Sequence, residues 1–133
     1  MNKYLNLSKG DVLYAMVQKS VDEYGHYAAY ICKQIQITSV PDVMYYNDSN
    51  KLVEFSFKFI DNRKNFTTNV VVPIEESVDY IELDDDFINA FYMSYDEDTI
   101  KQMCRRYTEQ SLDCLNKEIE NLNKIYQEIS NYK

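Results

Sequence analysis

The hydrophobic pattern of this 133-residue chain changes period once, near residue 94, and that change limits the fold to a run of strands followed by helix. Between Gly10 and Val72, apolar and polar residues alternate in short runs bounded by turn formers, the period of half-buried strands. From Thr99 to Tyr132 there is neither glycine nor proline. Within that stretch Leu112, Leu115, Ile119, Leu122, Tyr126 and Ile129 recur at alternating spacings of three and four, the a/d pattern of a coiled-coil seam.

In the first strand Val12, Tyr14 and Met16 share one face and Leu13, Ala15 and Val17 the other, so a curved or closed sheet is expected. A hairpin is expected over residues 22–26, where Gly25 can supply positive φ. The return strand carries Ile31, Ile35 and Ile37 on one parity until Pro41 removes a ladder donor. A short run at residues 43–46 meets the turn cluster at 47–50. The clearest strand follows, with Val53, Phe55, Phe57 and Phe59 facing one way and Glu54, Ser56 and Lys58 the other. Phe66, Thr68, Val70 and Val72 make the next, ended by Pro73, and a last short strand is expected at about residues 79–83. The fold class expected is α+β in one domain, residues 1–133. A five- to six-stranded antiparallel sheet or SH3-like partly open barrel (about 10–83) leads through an acidic connecting segment (75–98) to a long helix or helical hairpin (about 95–131).

Ser94 followed by Glu97 reads as a capping box, and Asp96, Glu97 and Asp98 sit where a helix dipole favours negative charge. Ile100, Cys104 and Tyr107 hold a frame offset from the later seam. A continuous helix here would be roughly 55 Å long, more than a small sheet can cover. Its far end then needs a helix from a second subunit, giving a homodimer, or a turn near Cys114 that folds it back.

Lys and Arg total 14 against 22 Asp and Glu, a formal charge of −8, which disfavours direct contact with nucleic acid. No apolar run approaches the length of a membrane span and no signal-peptide pattern opens the chain, so a cytoplasmic protein is expected. Cys32, Cys104 and Cys114 have no metal-like spacing and are expected as buried free thiols. The over-use of Asn, Ile, Lys and Tyr with no Trp fits AT-rich codons, as in a low-GC bacterium or its phage.

The acidity is local. Between Asn65 and Ile100 lie Glu75, Glu76, Asp79, Glu82, Asp84, Asp85, Asp86, Asp96, Glu97 and Asp98, ten acids with no Lys or Arg, so the rest of the chain sums to +2. One reading is a solvated connection; the functional one is a surface that imitates phosphate spacing and docks on a basic partner. A divalent cation would want alternate-residue ligands and a glycine that Asp84, Asp85 and Asp86 do not provide, so no metal and no cofactor are expected. Five tyrosines, Tyr24, Tyr27, Tyr30, Tyr45 and Tyr46, flank turns and offer a second site, a wall on which a nucleotide-like small molecule can stack. Arg105 and Arg106 read as a phosphate contact or as surface ion pairs. The single histidine, His26, sits at a turn with only Asp22 and Glu23 near it in sequence, and no phosphate loop, paired-cysteine motif or Gly-flanked serine occurs, so the chain is read as a non-enzyme.

The run Lys9-Gly10-Asp11-Val12-Leu13-Tyr14 opening a β domain, with Phe91-Tyr92-Met93-Ser94 leading into a charged helix, resembles a diffuse group of small proteins of low-GC bacteria and their phages. The resemblance implies a small β-barrel followed by a helix that often pairs. In size, charge and origin the chain also looks like phage-encoded inhibitors of host defence, anti-CRISPR proteins among them, many of which place carboxylates where nucleic acid would lie. The expected function is therefore a non-enzymatic inhibitor acting in the host bacterial cytoplasm on a basic, nucleic-acid-binding protein. The alternatives are a ligand-sequestering module and a dimeric structural or adaptor protein.

Overall fold

The computed structural model describes residues 2–23, 27–85 and 89–131, with Asp84 and Asp85 described by backbone alone. A 3-10 turn (Lys3–Asn6) is followed by strands β1 (Val12–Ser20), β2 (Ala28–Ile37), β3 (Asp42–Tyr45), β4 (Asn50–Phe59), β5 (Asn65–Pro73), β6 (Ile81–Asp85) and β7 (Ala90–Ser94), then one helix, α1 (Glu97–Asn131). The α+β order matches the change of period. The sheet has seven strands where five or six were expected, because residues 81–94 form two strands and not one.

All ladders are antiparallel. One edge of β4 pairs with β5 from Asn50↔Pro73 to Lys58↔Asn65, and its other edge is shared, first by β3 against residues 51–54 and then by β2 against 57–59. Pro41 separates β2 from β3, yet the break stays attached to β4: Thr38 N donates to Ser56 O at 2.8 Å and Ser56 N to Ser39 Oγ at 2.8 Å. On the far side of β2 the order runs through β1 and β7 to β6. The sheet curls until β5 and β6 lie beside each other with no ladder between them, an open version of the expected barrel. Gly10 enters β1 at φ +97°, a left-handed conformation that a side chain would strain.

The concave face is the main core: Leu13, Ala15, Ile35, Ile37, Val53, Phe55, Phe57, Val70, Val72 and Met93 are buried there. Phe57 lies at its centre, with ring centroids 6.1 Å from Phe55, 5.9 Å from Phe59 and 5.7 Å from Phe66. Each fully buried ring of this kind contributes about 2–3 kcal/mol by area alone.

The convex face of β1 is also apolar, and α1 covers it. Met16, Ile100 and Cys104 form a second buried cluster, walled by Tyr14, Tyr30, Cys32, Phe91, Tyr92, Met103 and Tyr107. A bulge helps: Met16 pairs with Tyr92 and Val17 with Ala90, so Phe91 is the extra residue and both aromatics turn towards the helix. The helix begins differently from the expected capping box. Asp96 is the cap, its Oδ1 accepting from Asp98 N at 3.3 Å and its Oδ2 from Thr99 Oγ1 at 2.8 Å. Ser94 is instead the buried last residue of β7. The choice between one helix and a hairpin resolves to one continuous helix of 35 residues, with no turn at Cys114. Every described residue from Asn116 onward is exposed, so the helix overhangs the sheet.

Phe57→Ala is expected to lower unfolding free energy by about 3–5 kcal/mol in urea titration. Val40→Ala, at a 76% exposed position, should stay within about 0.5 kcal/mol.

Candidate functional site

Tyr4 is the anchor of one end of the sheet. Carried inward by the 3-10 turn, whose cap Asn2 accepts from Tyr4 N at 3.1 Å, its side chain is fully buried. Its hydroxyl donates to the Asp79 carbonyl at 2.9 Å and lies 3.5 Å from Ser94 Oγ. Ser94 Oγ donates to the same carbonyl at 2.6 Å and accepts from Asp96 N at 3.0 Å. The Tyr4 ring packs 5.3 Å from that of Tyr95, whose hydroxyl donates to Asp11 Oδ2 at 3.0 Å. Asn2 Nδ2 donates to the Glu76 carbonyl at 3.0 Å.

These bonds tie together segments far apart in sequence, and with them the backbone that carries Glu76, Asp79 and Asp96, beside the Asp11 carboxylate. Glu75, Glu76, Asp79, Asp96 and Asp98 are exposed, and Glu97 is half-buried and paired with Lys101 at 2.5 Å. The convergence has an electrostatic signature: burial raises the Tyr4 hydroxyl pKa, and the charges of Asp79 and Asp96 both push it further up. The Tyr95 phenol is raised too, by burial and by its bond to Asp11. Lys3 is the local counter-charge, its Nζ 5.3 Å from the Tyr95 ring centroid.

The remaining acids go elsewhere. Glu82 is exposed midway along β6, where its charge adds to the raised pKa of Tyr92. Asp84 and Asp85 end β6, about 10–13 Å along the strand from Ile81, and Asp86 lies outside the described residues. Among the described residues the acidic block is thus divided between the end of the sheet at Tyr4 and the strand β6.

The tyrosine wall is not assembled. Tyr30 packs into the helix–sheet layer, 5.6 Å from Tyr107 and 6.2 Å from Phe91, with its amide donating to Thr108 Oγ1 at 2.9 Å. Tyr27 bonds through its hydroxyl to Glu118. Tyr45 and Tyr46 stand exposed on the other arm of the sheet, Tyr45 bonding Asp48 at 3.0 Å, and Tyr24, like His26, lies outside the described residues. A different set does meet: Tyr92 contacts Tyr80 and Tyr107, with the Tyr92 and Tyr107 hydroxyls 3.3 Å apart. That bond, then burial, pushes the Tyr92 phenol up to about 12. The bulge at Phe91 creates this cluster, and a one-residue bulge has no signature in an alternating pattern.

The thiols differ in setting. Cys104 is buried and its pKa is pushed up to about 11, mainly by desolvation; Cys32 is half-buried and also raised by burial; Cys114 is exposed, against the expectation that all three are buried. Among the described residues no group of three His, Cys, Asp or Glu is placed to hold a metal ion, and no helix is long and apolar enough to cross a membrane. No protein-family model, curated protein or solved structure matches the chain.

Two outcomes are expected. Tyr4→Phe leaves the Asp79 carbonyl with one donor fewer in a buried setting and should cost about 1–2 kcal/mol in urea titration. Burial keeps the Cys104 thiol protonated at pH 8. Native alkylation followed by mass spectrometry should therefore label Cys114 first and Cys104 only after unfolding.

Proposed function

We propose that the protein is a non-enzymatic binding module that docks the acidic end of its sheet on the basic face of a nucleic-acid-binding protein, taking the place of phosphates and so inhibiting it. The observation that carries this reading is the convergence of residues 75–79 with 96–98 around Tyr4, Ser94 and Tyr95. The acids ride on backbone held by partly buried hydrogen bonds, so their spacing is set before the partner arrives and little order is lost on binding. A chain of net charge −8 also steers a cationic partner during encounter, within a Debye length of about 8–10 Å. A phage inhibitor of a host defence protein working in the bacterial cytoplasm would use such a surface. The small-molecule alternative has less behind it, because Tyr30 is spent on packing the helix and Tyr45 stands on another arm of the sheet.

The test neutralises the converged acids while keeping their shapes: Glu75→Gln, Glu76→Gln, Asp79→Asn and Asp96→Asn together, Asn being as good a helix cap as Asp. Wild type immobilised at low salt is expected to retain a basic nucleic-acid-binding protein from bacterial lysate and to release it at about 0.5 M salt. The variant, folded by circular dichroism, should lose it. Equal retention by both proteins would refute the reading.

A further inference from the structure

The side of α1 that seals Met16 continues past the sheet. Ile100, Cys104, Tyr107, Ser111 and Leu115 face the strands, and Leu122, Ile125 and Ile129 extend the same side at helical spacing. Beyond the sheet this stripe is bare, with Leu122 66% exposed, Ile125 53% and Ile129 66%, and it is flanked on one side by the exposed Leu112, Ile119 and Tyr126 of the offset seam. At the boundary it runs into an apolar groove of about 200 Å³, lined by Val21, Ala28, Ala29, Ser111, Leu112 and Leu115. Groove and stripe are one continuous unpartnered surface.

We infer that this surface is the interface of a homodimer in which the same stripe of a second copy lies antiparallel. Its area suffices: the residues at 112, 115, 119, 122, 125, 126 and 129 leave roughly 600–700 Å² open per chain, so a pair can bury at most about 1,300 Å² through them, at the lower end of the ~1,200–2,000 Å² of stable interfaces.

The seam is also complementary to its own reverse. About a two-fold axis between Glu120 and Asn121, Leu112 faces the partner's Ile129, Leu115 the partner's Tyr126 and Ile119 the partner's Leu122. Each a position meets a d position, so all six seam residues are matched and the large Tyr126 is set beside the half-covered Leu115. Parallel pairing would instead oppose Tyr126 to itself. At the flanks Asn116 approaches the partner's Asn123, and Ile125 lies along the stem of the partner's Glu118, so no like charges meet.

The sheets decide the direction. Each helix carries its own sheet along its first half, packed from Ile100 to Tyr107 and reaching Leu115 at the groove and Glu118 through Tyr27. In a parallel pair both sheets would crowd the inner face at one end. In the antiparallel pair they sit at opposite ends, and the partner's Ile129 arrives at the mouth of the groove beside Leu112, continuing the cover that the sheet begins. This proposal stands apart from the acidic docking, since none of its residues belongs to that surface.

Disulfide mapping tests it, in a Cys114→Ser background that removes the exposed thiol. Leu112→Cys and Ile129→Cys are made as separate proteins and oxidised mildly, alone and mixed. The mixture is expected to give a cross-linked dimer and neither variant alone, because in the antiparallel pair two copies of residue 112 are about 25 Å apart. A dimer of Leu112→Cys with itself would overturn the antiparallel arrangement. Sedimentation gives the second readout: Leu122→Asp, at a 66% exposed position beyond the sheet, should weaken association more than about 100-fold with an unchanged circular dichroism signal at high concentration. Wild type should remain dimeric from about 0.05 to about 0.5 M salt, as an apolar seam does. A monomeric wild type at tens of micromolar would overturn the proposal, whatever the acidic surface does.

Discussion

Strand β1 is apolar on both faces, and the rest of the molecule is arranged to keep both out of water. Its inner face, Leu13 and Ala15, is satisfied by the curl of the sheet over the phenylalanines of β4. Its outer face, Met16, has no second sheet to meet, so the chain lays the start of α1 across it. That single contact places the helix N-terminus at the end of β7, beside Asp79 and Tyr4, and sends the remainder of the helix past the hairpin of β1 and β2. The acidic end and the overhanging seam both follow from how Met16 is buried.

Legibility in the sequence follows how local the cause is. The strand β4 and the helix could be read because each repeats one period over many residues, Val53 to Phe59 in twos and Leu112 to Ile129 in threes and fours. The strand β7 could not, since Phe91 breaks its alternation with a bulge that only the register of β1 reveals. Ser94 misled for a related reason: its spacing to Glu97 satisfies the capping-box pattern, but its hydroxyl is taken by the Asp79 carbonyl and the cap passes to Asp96. Tyr4 left no trace at all. Its role depends on hydrogen bonds to residues 75 and 90 positions away, and no local pattern encodes those.

The acidic block shows the same limit from the other side. Sequence adjacency suggested one patch, with Asp84, Asp85 and Asp86 among its ten acids. The ladder of β6 on β7 carries the backbone of Asp84 and Asp85 away from the helix N-terminus, whereas Glu76, Asp79 and Asp96, separated by up to 20 positions, are drawn together by Asn2, Tyr4 and Ser94. Charge density along a chain reports composition; charge density in space depends on which strands pair. The surface worth testing is therefore smaller than the block and includes Asp11, which lies outside it.

Antiparallel pairing would change what that surface can do. With the two-fold axis at residue 120.5, the two Asp96 caps stand about 70 Å apart along the helix pair, at opposite ends of a rod with a sheet on each. A monomer offers one acidic end and must hold its partner with that contact alone. A dimer offers two at a fixed separation, so after one end binds, the other is held near any second basic site at that distance and binds as an intramolecular event. Two modest electrostatic contacts, each weakened by physiological salt, then act together without any new interaction at either. The gain exists only for partners whose basic sites match the span, such as proteins arrayed along nucleic acid or oligomers of that size. In such a dimer the helix would select partners by geometry and the acidic ends would select them by charge.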